Sequence, residues 1–197
     1  MSFVVMRRLA AVGCAAVALT ACADAGTAPT APRTAPSLRP VVDPTTTVAT
    51  GLGREVPLRS DLTVTRTIGP AGGTLRIKEA GIRVVVPEGA VDHDVAFTVT
   101  AVAGTMVAYE FGPHGLTFNR PLQAQQALRG TTWYRVDDLA TLEIGYFRTR
   151  DDVDPAAQRA SVRELLPLTL DLSNGKIRFD IQHFSGYMVS CGRHPSK

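Results

Sequence analysis

Aromatic residues make up only 6% of this 197-residue chain, and cysteines number three. So few cysteines exclude a disulfide-stapled scaffold, and so few aromatics leave a core that must be built mainly from aliphatic side chains. Strong charge of one sign is also missing. The formal charge of +3 falls to +1 once Arg7 and Arg8 are assigned to a removable leader, and the stretch from Asp61 to Lys197 is neutral. That balance gives no electrostatic case for nucleic acid. No apolar run approaches the ~20 residues a membrane-spanning helix requires. What the chain has instead is 17 glycines, 13 prolines and 45% hydrophobic residues, the composition of one turn-rich globular domain with a tail.

Residues 1–21 read as an export signal, with Arg7 and Arg8 as the basic n-region and Leu9 to Ala18 as a short, Ala-rich apolar segment. Its end, Leu19-Thr20-Ala21-Cys22, resembles the bacterial lipobox. That resemblance implies diacylglycerol on the Cys22 thiol, cleavage before it, and a mature chain that starts there. Several acyl chains hold a protein stably where one does not, since each buried methylene contributes ~0.8 kcal/mol. Ala23 follows where inner-membrane retention favours Asp. The expected location is therefore the outer membrane of a two-membrane cell, or the outer face of the cytoplasmic membrane in a cell with one. With Cys14 in the leader and Cys22 acylated, Cys191 is left as a small apolar filler at a strand end.

Residues 22–60 carry Pro29, Pro32, Pro36, Pro40, Pro44 and Pro57 among many Ala and Thr, which predicts an extended tether. From 61 to 192 the pattern turns to period two with Gly and Pro punctuation, and 193–197 forms a tail. Strands are predicted at Val64 to Ile68, Thr74 to Lys78, Gly81 to Val86, Val95 to Ala103, Thr105 to Phe111, Leu122 to Leu128, Thr132 to Val136 and Thr141 to Arg148. Asp154-Pro155 reads as an N-cap and first helical position, predicting a short helix over Ala156 to Leu166. Strands Leu166 to Leu172 and Ile177 to Ser190 flank Asn174-Gly175, which suits a type I′ hairpin turn. Strands this short and closely spaced predict an all-β antiparallel sandwich with at most one short helix.

Three motifs then stand in order: Ile68-Gly69-Pro70-Ala71-Gly72-Gly73-Thr74-Leu75; Val85-Val86-Pro87-Glu88-Gly89-Ala90; and Tyr109-Glu110-Phe111-Gly112-Pro113-His114-Gly115-Leu116-Thr117-Phe118 with Pro121. The terminal His183-Phe184-Ser185-Gly186-Tyr187 is a fourth. Together they resemble the ZU-five domain, the β-sandwich of zonula occludens proteins, netrin receptors and ankyrins. The resemblance implies a non-enzymatic docking or structural module, here with an unnamed protein or envelope partner and no cofactor. It also implies a chemical alternative, because an adaptor protein that carries such modules cleaves itself at a His-Phe-Ser sequence. Carried over, Ser185 Oγ would attack the Phe184 carbonyl while His183 takes the hydroxyl proton. Phe184 falls on the opposite parity to Ile177, Phe179 and Ile181, which predicts a bulge or kink at the motif.

Other candidate residues have simpler readings. His93 and His114 lie in turns without a second ligand at metal-binding spacing, and Asp151, Asp152 and Asp154 lack the glycine and final glutamate of a calcium loop. Trp133-Tyr134 reads as a half-buried strand pair, with an exposed contact patch as the alternative.

Overall fold

A computed structural model describes residues 46–193. The leader, Cys22, the first part of the predicted tether and residues 194–197 lie outside them. Sixteen strands follow one another: β1 (Thr47–Gly51), β2 (Gly53–Leu58), β3 (Leu62–Ile68), β4 (Gly73–Ile77), β5 (Ile82–Val86), β6 (Val95–Ala101), β7 (Gly104–Met106), β8 (Ala108–Gly112), β9 (Thr117–Ala127), β10 (Glu143–Phe147), β11 (Val153–Asp154), β12 (Arg159–Val162), β13 (Glu164–Leu166), β14 (Thr169–Asp171), β15 (Lys176–His183) and β16 (Gly186–Arg193). Among the described residues there is no α-helix, only three single-turn 3-10 segments. The all-β antiparallel sandwich read from the sequence is the observed fold.

Strand pairing sets out two sheets and a ribbon. The smaller sheet runs β14-β15-β9-β5-β4. In the larger, β16 is the hub: β10 pairs along one edge, while β8 and then β1 pair along the other, with β6 and β3 beyond β8 and β12 and β11 beyond β1. Strands β2 and β7 form a separate ribbon. Alternation does the sorting: Ile82, Val84 and Val86 of β5 and Ile177, Phe179 and Ile181 of β15 point inward, with Arg83, Arg178 and Asp180 outward. These side chains meet Phe97, Val99, Tyr109, Phe111, Tyr187 and Val189 of the larger sheet in the main core. A second cluster, including Ala49, Phe147, Val162 and Met188 of the larger sheet and Met106 of the ribbon, lies apart from it. Among the described residues, both cores lie within one compact unit, Val41–Lys197, which makes that unit the fragment for solution experiments.

Several expectations are corrected. The fold reaches upstream of residue 61, at least to Thr47, because Thr47–Gly51 inserts between β12 and β16 with Ala49 fully buried. The dense prolines end at Pro44, and a Thr-Val-Ala-Thr run that looks like linker composition is also β-branched strand composition. No helix forms over Ala156 to Leu166. Asp154 Oδ1 does accept from the Ala156 and Ala157 amides, as an N-cap would, but Gln158 takes a positive φ of 51° and returns the chain as β12. Burial of Val153, Ala160 and Val162 in the second cluster outweighs local helix preference. Thr132 to Val136 is no strand: Trp133–Arg135 makes a 3-10 turn that leaves Tyr134 exposed and Trp133 packed on the core.

The Asn174-Gly175 hairpin exists, but as a four-residue loop in which only Gly175 has positive φ. Asp171 holds it, accepting from Ser173 Oγ at 2.7 Å, from the Asn174 amide at 3.1 Å and from Asn174 Nδ2 at 2.9 Å. The Asn174 and Ser173 side chains pull the Asp171 carboxyl down to about 2. Finally, Ile177 to Ser190 is two strands in different sheets, and the crossing between them contains the His-Phe-Ser motif.

Candidate functional site

Strand β15 keeps strict alternation until Ile181. Its register against β9 then shifts between Ile181 and His183, the irregularity that the parity of Phe184 predicts. The chain leaves the smaller sheet at His183 and enters the larger at Gly186, which pairs with both Glu110 and Phe147. A Cβ on Gly186 would run into the Phe147 ring, so only glycine fits the entry point. His183 and Ser185 thus lie on either side of a crossing and do not share one strand face.

Each group in the motif is engaged. The Phe184 amide donates to Leu116 O at 2.9 Å, and the Phe184 carbonyl accepts from Gly115 N–H at 3.3 Å. Ser185 is buried; its hydroxyl donates to Phe147 O at 3.0 Å and its carbonyl accepts from Phe111 N–H at 2.9 Å. The half-buried His183 ring meets Tyr146 edge-on at 5.0 Å, while its carbonyl accepts from Tyr187 Oη at 2.8 Å. Burial raises the Tyr187 phenol well above its ordinary range. No hydrogen bond joins His183 to Ser185, and neither Phe184 nor Ser185 has a positive φ. In this arrangement the Ser185 hydroxyl points to Phe147 O, whereas the His183 ring lies edge-on to Tyr146.

Phe184 is the centre of the arrangement. Its ring lies 4.8 Å from Phe118 and 5.2 Å from Phe97, both edge-on, and 5.9 Å from Phe111, stacked. The third motif supplies two of these partners, which is a physical reason for the third and fourth motifs to occur together.

Beside His183 lies an open groove of about 480 Å³. Leu166, Pro167 and Leu168 form one wall, and Arg178, Asp180 and Gln182 of β15 form the other. Its origin is topological: β14 covers β15 only from Lys176 to Arg178, so the outer edge of β15 beyond Arg178 has no partner strand among the described residues. Pro167 ends β13 and keeps β14 short. The sequence reading missed this groove because it depends on where pairing stops.

A buried polar network was also missed. Arg54 is 5% exposed; its Nη1 donates to the carbonyls of Met106 and Val102, and its guanidinium lies 5.5 Å from the Tyr109 ring centre. Tyr109 Oη donates to Ala80 O at 2.8 Å and bonds Gln126 Oε1, and burial pushes its phenol up to about 12. His93 and His114 are exposed in turns, and Asp152 and Asp154 spend their carboxylates on turn amides. Cys191 is half-buried against the core with its thiol pushed up by desolvation, in keeping with a filler role.

The segment from β3 to β7 decides the comparison with known proteins. Residues 64–106 match the ZU5 domain family. No curated protein matches the chain. The ZU5 match takes in the Gly69–Gly73 and Pro87–Ala90 motifs and ends before Tyr109, so the crossing at His183–Gly186 lies outside it. Its first glycine turn is explained by packing: Gly72 has a φ of 75° and a Cβ there would strike the Val86 carbonyl and the backbone of Pro87 and Glu88.

Proposed function

We propose that this chain is a bacterial lipoprotein that displays its sandwich from the cell envelope as a non-enzymatic protein-binding module. Diacylglycerol on Cys22 would hold it in the outer membrane of a two-membrane cell or on the outer face of a single membrane. The ZU5 match supports a protein-interaction role, and the observation that carries the reading is the unpaired edge of β15 beside the Leu166-Pro167-Leu168 wall. An extended peptide can add to such an edge through main-chain hydrogen bonds while its side chains enter the groove. Cofactor and nucleic acid have no part in this reading.

Site-specific photocrosslinking tests it. A crosslinker at Gln182, in the groove, is expected to capture one discrete envelope protein in intact cells. The same group at Thr65, on the exposed face of β3, is expected to capture none. Equal capture from both positions would remove the groove as the docking site.

The non-enzymatic part has its own test. Fragment Val41–Lys197 and its Ser185→Ala variant should both keep their full mass after prolonged incubation. The variant should lose about 0.5–1.5 kcal/mol of stability, the net value of the hydrogen bond to Phe147 O. Loss of Ser185–Lys197 from the parent alone would make Ser185 a nucleophile and overturn the reading.

A further inference from the structure

The domain is neutral in sum but not in distribution. Register places Arg76 of β4 directly opposite Arg83 of β5, Arg83 opposite Gln125 of β9, and Gln125 opposite Arg178 of β15. All four are on the outer face of the smaller sheet, since their neighbours Leu75, Ile77, Val84, Ala124 and Phe179 are buried inward. Arg178 is neutralised by Asp171 at 3.0 Å. Arg76, Lys78, Arg83 and Lys176 are not paired with any described carboxylate, and they ring a shallow depression of about 220 Å³ in which Gly81 and Ala127 present little or no side chain. Asp180 lies one outward position further along β15, and Glu79 stands in the turn after Lys78.

Like charges directly opposite on antiparallel strands are destabilising, so the Arg76–Arg83 pair opposes folding. The depression has room for a phosphate group, and none of the residues that line it is one of the large aromatic anchors of a protein hot spot. In the β14–β15 loop, four residues before Lys176, Leu172 is 55% exposed. A cationic sheet face with one projecting apolar residue is the pattern of a peripheral membrane contact: cations reach phosphates while the leucine enters the headgroup layer.

We infer that Arg76, Lys78, Arg83 and Lys176, with Leu172, form a docking face for an anionic phospholipid surface, one lipid phosphate seating in the depression. The inference takes its location from the lipid-anchored reading. The 24 residues between Cys22 and Thr47 would reach ~75 Å as an extended polyproline chain, which keeps the face at high effective concentration over the leaflet.

Flotation of fragment Val41–Lys197 with vesicles tests the face apart from the anchor, because the fragment lacks Cys22. It should float with vesicles of phosphatidylcholine and phosphatidylglycerol in equal parts, less so as salt rises, and not with phosphatidylcholine alone. Removing cations should weaken binding about fivefold each, so Arg76→Gln with Arg83→Gln should lose roughly thirtyfold. That variant should melt no lower than the parent, since the opposed charges are gone. Leu172→Ser should weaken binding severalfold, and Arg148→Gln, an exposed cation in the bend after β10, should not change it. No flotation with the anionic vesicles, or flotation unchanged in the double variant, would overturn the inference. Displacement by millimolar inorganic phosphate with unchanged salt dependence would also overturn it, as it would assign the depression to free phosphate. None of these outcomes bears on whether Cys22 is acylated.

Discussion

Phe184→Ala is expected to destabilise fragment Val41–Lys197 by about 3–5 kcal/mol, the range for emptying a fully packed aromatic site. Phe184 is 2% exposed and touches Phe97 and Phe111 of the larger sheet and Phe118 of the smaller. The rings cannot all close on the gap, because Phe97 and Phe111 are fixed by strand pairing in β6 and β8. Urea unfolding would read the loss as a lower midpoint with an unchanged slope. Phe184→Leu should retain more than half of it, since most of the volume remains. A loss below ~1 kcal/mol for the alanine variant would mean that the crossing is not a core element. In that case the His-Phe-Ser sequence would need another explanation.

Cys22→Ser should move the full chain from the membrane fraction to the soluble fraction and abolish incorporation of labelled palmitate. The expected effect is close to complete. The described domain has no helix long and apolar enough to cross a membrane, and the docking face proposed above gives only a salt-sensitive contact. Fractionation at high salt separates the two contributions, because acyl chains hold through buried methylenes and ignore ionic strength. A Cys22→Ser chain that stays with the membrane at high salt, still carrying label, would refute acylation at this position. The docking face is read separately by the vesicle experiment.

The errors of sequence reading have a shared cause. At Asp154-Pro155-Ala156-Ala157 the local cap is real, yet Val153, Ala160 and Val162 gain more by facing Phe147 and Met188 than a short exposed helix offers. At Thr47–Gly51 the composition fits linker and strand alike. Only the opening between β12 and β16, with Gly51 pressed against Met106 and Met188, selects the strand. At Asn174-Gly175 the hairpin was legible from the dipeptide, but its loop geometry was set by Asp171, whose carboxylate collects the Ser173 and Asn174 donors.

The functional residues divide the same way. In the proposed lipoprotein reading Cys22 needs no fold to be read, since a lipobox is a linear segment. The kink at Phe184 could be foreseen because parity is a property of the chain alone.

The sequence by itself determined the fold class, the alternation of Ile177, Phe179 and Ile181, the irregularity at the His-Phe-Ser motif and the candidate anchor. Each depends on residue type and short-range spacing, with side chains alternating every second residue. Tertiary structure decided the rest. It sent the Ser185 hydroxyl to Phe147 and not to His183, ended β14 early to leave the groove, and set Arg76 against Arg83 in a domain whose total charge is zero. Those facts belong to strand register, a relation between segments tens of residues apart that no local pattern encodes.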